Sequence, residues 1–403
     1  MRAKPQGRVL PTRRSTVALF GGAFVTFAEL YATQPLMPEL SRYFHVTPAV
    51  SSLSLSAATA ALAVSMLWVS GLSDSWGRKR LMSASLLASA LLSIFVAASP
   101  NFAALLLLRA AQGATIAGFP SIAMAYVNEE FHSQEIGRAM GLYVSGTSVG
   151  GMTGRIIIGA LSDAFSWRIA VLVLGVISLG LAAWFWRALP LPRNFTPKLI
   201  GVREVVERLG EAFHRKPLIG VYALGFLLMG GFVTMYNYVT YLLMGSPYHF
   251  SQTLVGFIFI VYLTGTLSST WMGRLSDSMG RSPAMRLAIF IALAGCLMTL
   301  FVPVALKIVG LAIFTFGFFG AHSVASGWVG QLAPAFKAQG SSFYLLFYYA
   351  GSSIAGAVGG LFWSAYGWLG VIGMITVLLM SALFVERLVS GWLRQEHSDV
   401  SPV

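Results

Sequence analysis

The chain has 403 residues, of which 56% are hydrophobic and only 10% are charged, and its formal net charge is +13. Soluble domains carry about 25% charged residues, so a chain this apolar would expose large hydrophobic patches in water. The composition therefore indicates a protein embedded in a membrane. The positive charge does not indicate a nucleic-acid partner, because the basic residues lie between apolar segments and not on one soluble face.

Apolar segments follow one another along the whole chain, and each is close to the roughly 20 residues that a helix needs to cross the hydrocarbon. They lie at about 17–37, 49–70, 81–98, 102–126, 139–159, 168–186, 218–243, 253–272, 285–303, 306–330, 341–362 and 367–385. The sequence therefore predicts an all-α integral membrane protein with twelve transmembrane helices in two six-helix halves. The expected segments are a basic arm at 1–16, an N-terminal half at 17–187, a linker at 188–217, a C-terminal half at 218–386 and a tail at 387–403.

Lysine and arginine are distributed unevenly between the two sides of the predicted bundle. With a cytoplasmic N-terminus, 22 of the 27 lie in cytoplasmic segments, 3 lie outside, and Arg109 and Arg155 lie within spans. This bias follows the positive-inside rule, so we expect a multi-pass protein of the bacterial inner (plasma) membrane with both termini cytoplasmic. Glutamate and arginine alternate in the linker, which fits either an amphipathic helix lying on the membrane surface or a solvated tether.

The chain has a single cysteine, Cys296, which excludes an intramolecular disulfide and a cysteine-based zinc site. The sequence contains no metal-ligand spacing, no phosphate-cradling loop and no nucleophile elbow. We therefore expect no metal, no cofactor and no enzymatic activity. The expected partners are the lipid bilayer and a small-molecule substrate, and we expect a monomer.

Titratable side chains inside predicted spans are candidate pathway residues, and they are Glu29, Arg109, Arg155 and His322. A charged residue at the centre of a span costs at least about 2.5–3.5 kcal/mol, so such residues usually face a cavity. Glu29 lies midway along span 1, where a carboxyl that gains and loses a proton would serve proton coupling, and a structural ion pair with an arginine is the alternative. Tyr31 and Gln34 follow it in the same span and join the candidates.

One short string occurs twice at matched positions. Leu-Ser-Asp-Ser-x-Gly-Arg follows span 2 at 72–78 and returns 203 residues later, after span 8, at 275–281. In each copy the aspartate can pair with the arginine or accept from a helix N-terminus, and the glycine permits a tight reversal. The repetition indicates two parallel halves, the layout of large secondary transporters with a substrate site between the halves. A positively charged turn without further function is the alternative.

Spans 4 and 5 carry small residues at helical spacing, which predicts close approach of neighbouring helices. The glycines concerned are Gly113, Gly146, Gly150 and Gly154. Arg109 and Gln112 precede Gly113 in span 4. Arg155 follows the span 5 glycines near the outer end, where it could instead snorkel to the surface.

Polar and aromatic residues in the C-terminal half suggest the wall of a cavity. His322 in span 10 could titrate or bind a substrate, and a hydrogen-bonded core histidine is the alternative. Tyr236 and Asn237 in span 7 and Tyr348 in span 11 could contact an amphipathic or cationic ligand, whereas some aromatic residues will belong to the interfacial belt.

The repeated loop resembles the signature between helices 2 and 3 of the major facilitator superfamily, Gly-x-Leu-a-Asp-Arg-x-Gly-Arg-Lys. In that superfamily the loop latches one conformation and releases during alternating access. The resemblance therefore implies a conformational latch made of Asp74, Gly77, Arg78, Asp277, Gly280 and Arg281. It also implies the superfamily fold and membrane transport.

Two further motifs are similar to those of the drug:proton antiporters in this superfamily. Arg109 to Gly113 resembles the helix 4 motif Arg-x-x-Gln-Gly, to which proton handling is often assigned. Span 5 resembles the antiporter motif Gly-x-x-x-Gly-Pro-x-x-Gly-Gly, with Gly151 in place of the proline and Arg155 in place of the final glycine. The likeness extends to the bacterial acriflavine-sensitivity family of efflux proteins.

The sequence thus predicts proton-coupled efflux of a small organic or amphipathic compound by alternating access, with Glu29 carrying the proton. One alternative is a proton-coupled uptake symporter for a sugar, amino acid or carboxylate, in which Arg109 and Arg155 would bind an anionic group. Another is a membrane sensor on a transporter fold that moves no substrate.

Overall fold

The computed structural model describes residues 13–131, 133–192, 215–334 and 337–400. Most of the predicted basic arm and linker, together with the last residues of the tail, lie outside the described residues. The N-terminal half contains α1 (Arg13–Leu30), α2 (Met37–Phe44), α3 (Pro48–Trp76), α4 (Arg78–Ala97), α5 (Phe102–Ile116), α6 (Pro120–Glu130), α7 (Ser133–Ala164) and α8 (Trp167–Ala188). The C-terminal half contains α9 (Lys216–Met244), α10 (Gln252–Ile258), a 3-10 turn (Phe259–Val261), α11 (Tyr262–Met279), α12 (Arg281–Met298), α13 (Val304–Leu332) and α14 (Lys337–Val400).

The described helices form twelve passages, six in each half. Helices α5 and α6 share one passage, α10 and α11 share another, and α14 supplies two because Gly367 has a φ of 58° and interrupts it. Eight helical stretches are long and apolar enough to cross a membrane by length and composition, and the stretch in α14 holds two passages. The other three passages are α1, α5 with α6, and α7. The predicted all-α fold is confirmed.

Two passages of the N-terminal half are broken helices. Helix α1 ends at Leu30, and the chain turns through residues 31–36 before α2 begins. The sequence predicts an unbroken span at 102–126, but the structure has two helices there, because α6 starts at Pro120. A proline lacks the N–H of an internal helical residue and clashes with the preceding turn, so each break lies next to a proline.

The two halves repeat the same backbone geometry at the loops that share a sequence. Gly77 has φ 90° and ψ 143°, and Gly280 has φ 88° and ψ 158°. Only glycine adopts such a conformation without strain, so the glycine of the repeated string is required in both copies. The repeated sequence therefore produces a repeated structure.

The halves meet along α3 against α14 and along α7 against α10. Within the halves, α1 packs on α7 and α9 packs on α14. We call the end of the bundle with the turn at 31–36 and helix α2 the closed end, and the end with the two repeated loops the loop end. In the predicted topology the closed end faces the periplasm.

Candidate functional site

Arg109 caps the broken end of α1. Its Nη1 donates to the main-chain oxygen of Glu29 at 3.0 Å, and its Nη2 donates to that of Leu30 at 2.5 Å. Its Nε donates to the oxygen of Ser54 in α3 at 2.9 Å, and Nη1 also contacts Oε1 of Gln112. The last carbonyls of a helix have no partner within it, so Arg109 satisfies the groups that the break exposes. Arg109 is 1% exposed.

The carboxyl of Glu29 points into the N-terminal half, and not into the contact between the halves. It is fully buried, and neither oxygen has a hydrogen-bond partner. The polar side chains around it are Ser89 of α4, Ser178 of α8, and Gln112 and Arg109 of α5. Arg109 approaches Glu29 through its main-chain oxygen, and the two side chains form no ion pair. Glu29 and Arg109 are thus neighbours without the salt bridge that the sequence left open as an alternative.

The span 5 glycines bring α7 against the backbone of α1. A Cβ atom at Gly146 or Gly150 would overlap the main chain of Phe20 or Phe24, and one at Gly154 would overlap Ala28. Gly113 similarly meets the backbone of Ala58 in α3. The predicted close helix contacts are therefore present. Helix α1 is held between the α7 glycines and the guanidinium of Arg109.

Arg155 lies at the contact between the two halves and does not snorkel. Its Nη1 donates back to the oxygen of Gly151 at 2.6 Å, toward the middle of α7. Its Nε donates to Oε1 of Gln34 at 2.8 Å, and Nε2 of Gln34 donates to Oδ1 of Asn237 at 2.8 Å. A hydrogen-bonded chain therefore runs from α7 through the break after α1 to α9 of the other half.

Aromatic rings surround the guanidinium of Arg155. Its central carbon lies 4.3 Å from the ring centre of Tyr31, 4.6 Å from that of Phe259 and 5.0 Å from that of Tyr262. Phe259 belongs to the 3-10 turn between α10 and α11. Tyr236 packs on Phe259 and Tyr262, and its hydroxyl contacts that of Thr315 at 2.5 Å.

His322 lies in the C-terminal half, and Phe318 and Phe232 connect its ring cluster to the rings around Arg155. Its Nδ1 lies 2.8 Å from the hydroxyl of Tyr344, and its ring packs on Phe318, Tyr344 and Tyr348. The histidine is thus hydrogen-bonded, as its structural alternative predicts, and has no hydrogen bond to the chain that joins Arg155 to Asn237.

All hydrogen bonds that join described residues of the two halves lie on the side of the closed end. Tyr241 contacts Ser41 through its hydroxyl at 2.7 Å, and the hydroxyls of Thr59 and Ser353 lie 2.7 Å apart. Asp163 accepts from the main-chain N–H groups of Gln252 at 3.0 Å and Thr253 at 2.6 Å, at the N-terminus of α10. The remaining bonds are Gln34 to Asn237 and Tyr241 to the oxygen of Met37. The halves are therefore sealed together at the closed end.

At the loop end, each repeated arginine is bonded within its own half. Arg78 makes a two-pronged contact with Glu129 at the end of α6, at 3.2 and 2.8 Å, and also donates to Ser73. Arg281 donates to Gln331 near the end of α13 at 2.6 Å. The arginines thus reach equivalent positions in the two halves. An acidic partner of Arg78 is Glu129, which the sequence did not single out as part of the latch.

One apolar groove of about 390 Å³ lies away from these residues, on the outer face of the C-terminal half. It is lined by Thr264, Trp271, Ile291, Val309, Ala312, Ile313 and Phe316. Trp271 and Val309 are about half exposed, so the groove faces the surrounding membrane. It does not coincide with the predicted site.

The structure thus separates the predicted pathway residues into three groups. Glu29, Arg109 and Gln112 lie within the N-terminal half, whereas Tyr31, Gln34, Arg155, Tyr236 and Asn237 meet between the halves. His322 and Tyr348 form the third group. Phe259, Tyr262, Glu129 and Asp163 were not predicted, because a buried ring or a helix-end acid has no sequence signature that distinguishes it from its many neighbours.

Comparison with known proteins agrees with this fold. The Major Facilitator Superfamily model matches residues 19–356. The chain is 48% identical over 381 residues to the MFS-type transporter YybF of Bacillus subtilis (strain 168), covering 94% of this chain and 93% of that protein. It is 44% identical over 372 residues to the inner membrane transport protein YnfM of Escherichia coli (strain K12), covering 92% and 89% of the two chains.

Among solved structures, a bacterial homologue of the human lysosomal transporter Spinster superposes with a TM-score of 0.80. The match covers 94% of this chain and 97% of that one at 13% identity, a likeness of fold. The protein is therefore an integral membrane transporter of the bacterial inner membrane, and not an enzyme. It belongs to the major facilitator superfamily.

Proposed function

We propose that this transporter exports a small organic molecule in exchange for protons by alternating access, with Glu29 as the proton carrier. The observation that carries the proposal is the buried carboxyl of Glu29, whose two oxygens accept no hydrogen bond. A charged carboxylate in such a place is costly within a membrane, so in this conformation the group is expected to hold a proton. An acid that is neutral in one conformation and ionised in another is what proton coupling requires.

Helix α1 connects the proposed proton carrier Glu29 to the contact between the two halves. It carries Glu29 on its N-terminal-half side, and the turn that follows carries Tyr31 and Gln34 to the contact with Arg155. When Glu29 loses its proton, the guanidinium of Arg109 gains a carboxylate to bond in place of the main-chain oxygens of Glu29 and Leu30. The break after α1 can then rearrange, and it displaces the side chains that hold the halves together.

The direction of transport rests on the likeness to drug:proton antiporters and on the glycine stripe of α7. In the predicted topology the sealed closed end faces the periplasm, so this conformation would accept a substrate from the cytoplasm. Inverted membrane vesicles separate export from uptake: accumulation of substrate inside them on acidification of their lumen supports export. Accumulation in right-side-out vesicles driven by external acid would instead favour the symporter.

The first test measures proton movement in proteoliposomes that contain a pH-sensitive dye, with a panel of cationic dyes, sugars and organic acids. We expect one class to trigger proton flux and Glu29→Gln to abolish that flux, because an amide carries no exchangeable acid proton. Glu386→Gln is the matched control. It alters the other fully buried acid of the described residues, which is bonded to Ser390 at 2.7 Å and lies 3.7 Å from Arg286.

Flux in Glu29→Gln equal to that of the wild type would contradict the assignment of the proton. If no compound of the panel triggers proton flux by the folded wild type, export would be left without support and the sensor would be favoured.

A further inference from the structure

We propose that the contact between the halves holds an anion-binding subsite at Arg155, and that the transported compound carries a carboxylate or similar anionic group on an apolar or aromatic body. The inference rests on the proposed transport function and adds the chemical class of its substrate. It also differs from the cationic ligand that the aromatic residues suggest in the sequence.

The hydrogen-bond chain between the halves has an N–H group without a partner at each end. A guanidinium can only donate, so the oxygen of Gln34 must face Arg155 and its NH2 group must face Asn237. The oxygen of Asn237 then faces Gln34, which leaves its Nδ2 unbonded although it is buried. At the other end, Nη2 of Arg155 has no hydrogen-bond partner among the described residues. Both ends of the chain therefore present unused N–H groups.

The charge of Arg155 is also uncompensated. The side chain is 1% exposed, and no acidic side chain of the described residues forms an ion pair with it. The other buried arginine of the described residues, Arg109, donates from Nε, Nη1 and Nη2 alike, whereas Nη2 of Arg155 has no acceptor. Removing one charge of a pair from a buried site is strongly unfavourable, so a lone buried guanidinium favours arrival of an anion. A bound carboxylate would accept from Nη2 of Arg155 and supply the missing charge.

The surroundings of Arg155 fit an anion with an apolar body. Tyr31, Phe259 and Tyr262 surround the guanidinium, and the rings of Tyr236 and Phe232 continue the apolar wall. The nearest rings are already engaged with the cation of Arg155, which would repel a second cation. A cationic ligand is thus disfavoured where an anionic one gains a partner.

Two interruptions of regular helix meet at this level. The turn at 31–36 carries Tyr31 and Gln34, and the 3-10 turn at Phe259–Val261 carries Phe259. Substrate sites of secondary transporters are typically formed where helices are discontinuous near the repeat interface. Arg155 lies nine residues before the end of α7, about 14 Å from the closed end at 1.5 Å per residue. The subsite therefore lies deeper in the bundle than the contacts of Asp163 and Ser41, where a substrate that entered from the loop end would stop.

The test is equilibrium binding to the purified full-length protein in detergent. The probes are 1-naphthoate, its neutral analogue 1-naphthamide and the cation 1-naphthylmethylammonium. We expect naphthoate to bind about tenfold or more tightly than the other two, because it alone forms a charge-assisted bond to Arg155. Arg155→Gln should remove that preference and Arg155→Lys should keep part of it. Asn237→Ala should lower the preference less than Arg155→Gln does, because Asn237 is connected to Arg155 only through Gln34.

Arg168→Gln is the matched control. Arg168 is an arginine near the closed end that bonds the oxygens of Ala97 and Ser99 within the N-terminal half, so its loss should leave the preference unchanged. Equal binding of acid and amide by the wild type, preference for the cation, or an unchanged preference in Arg155→Gln would overturn the proposal. Acetate, benzoate and indole-3-acetate are tested alongside naphthoate as further carboxylates, and failure of all four to bind would also overturn the proposal. Arg155→Lys keeps the test decisive if Arg155→Gln does not fold.

This experiment is independent of proton coupling. Anion binding that depends on Arg155, with proton flux that persists in Glu29→Gln, would support the subsite and contradict the proton carrier. Proton flux that requires Glu29, with no preference for the anion in binding, would support the proton carrier and contradict the subsite.

Discussion

Arg109 and Arg155 are equally buried, yet their hydrogen bonds indicate different roles. Arg109 donates to main-chain oxygens of α1 and α3, which orders the break after Leu30. Arg155 donates to one main-chain oxygen and to Gln34, and its Nη2 has no partner among the described residues. A positioning role therefore suits Arg109, and a binding role suits Arg155.

We expect Arg109→Lys to reduce both stability and transport. A lysine cannot reproduce the planar fork that serves oxygens on two helices, and each buried oxygen left unpaired costs about 1–3 kcal/mol. Thermal unfolding in detergent, together with uptake into vesicles, measures the two effects. Arg42→Lys should change neither by much, since Arg42 is exposed and makes no hydrogen bond or ion pair with the described residues. Wild-type stability of Arg109→Lys would contradict the capping role.

At the scale of elements, glycine decides how closely α7 can approach α1. The two helices touch through backbone at Gly146, Gly150 and Gly154, so Glu29 of α1 and Arg155 of α7 lie on a closely packed pair. Proline breaks nearby helices without separating them. Helix α1 is therefore tightly packed up to Glu29 and loses its regular hydrogen bonds after Leu30.

Gly150→Ala should destabilise the protein by about 1–3 kcal/mol, because the added Cβ would overlap the main chain of Phe24, which cannot rotate away. Gly141→Ala in the same helix is the control. Its Cβ would meet nothing within 4 Å, so it should stabilise by about 0.5–1 kcal/mol through the higher helix propensity of alanine. Apparent unfolding temperatures of the two variants give the comparison. A shift in the same direction for both would show that the contact with Phe24 does not matter.

At the scale of the whole molecule, the hydrogen bonds between the halves that the described residues make lie on the side of the closed end. Asp163 holds the N-terminus of α10, where main-chain N–H groups and the helix dipole favour a negative charge. The repeated arginines at the loop end are bonded inside their own halves. Rocking of one half against the other would therefore break the Asp163 contact while it leaves each half intact.

Asp163→Ala should favour closure of the loop end. Loss of two charge-assisted hydrogen bonds, each worth about 1.5–3 kcal/mol, should shift the equilibrium about tenfold or more. Spin labels at Trp76 and Met279, which are 59% and 44% exposed, would report the distance across the loop end once Cys296 is replaced. We expect shorter distances in Asp163→Ala and no change in Glu396→Ala, whose acid bonds Arg215 in the C-terminal half. An unchanged distribution in Asp163→Ala would remove Asp163 from the seal.

The same contact predicts a pH dependence. Partial burial raises the pKa of Asp163, but hydrogen bonds from Thr253, Ser251 and Gln252 outweigh it, and the net pKa lies below the ordinary value. The ionised carboxylate of Asp163 therefore stabilises the seal at a pH above the ordinary pKa of an aspartate. That stabilisation is lost as the pH falls through the lowered pKa of Asp163. In a Glu29→Gln background, label distances should stay constant from about pH 8 to pH 5 and shorten only below about pH 4. A shift near neutral pH that Asp163→Asn abolishes would contradict this.

The sequence by itself determined the number of passages, the two halves, the tight loops and the close helix pairs. Each of these depends on local features: the length of an apolar run, a repeated string, a proline or a stripe of glycines. Only the tertiary structure decided that Glu29 faces the interior of its own half, that Arg78 pairs with Glu129, and that Arg155 reaches Gln34, 121 residues away in the chain, and through it Asn237 of the other half. The physical reason is that spans this apolar show little contrast between their faces, so the rotation of each helix, and with it the partner of each polar side chain, is set by packing against its neighbours.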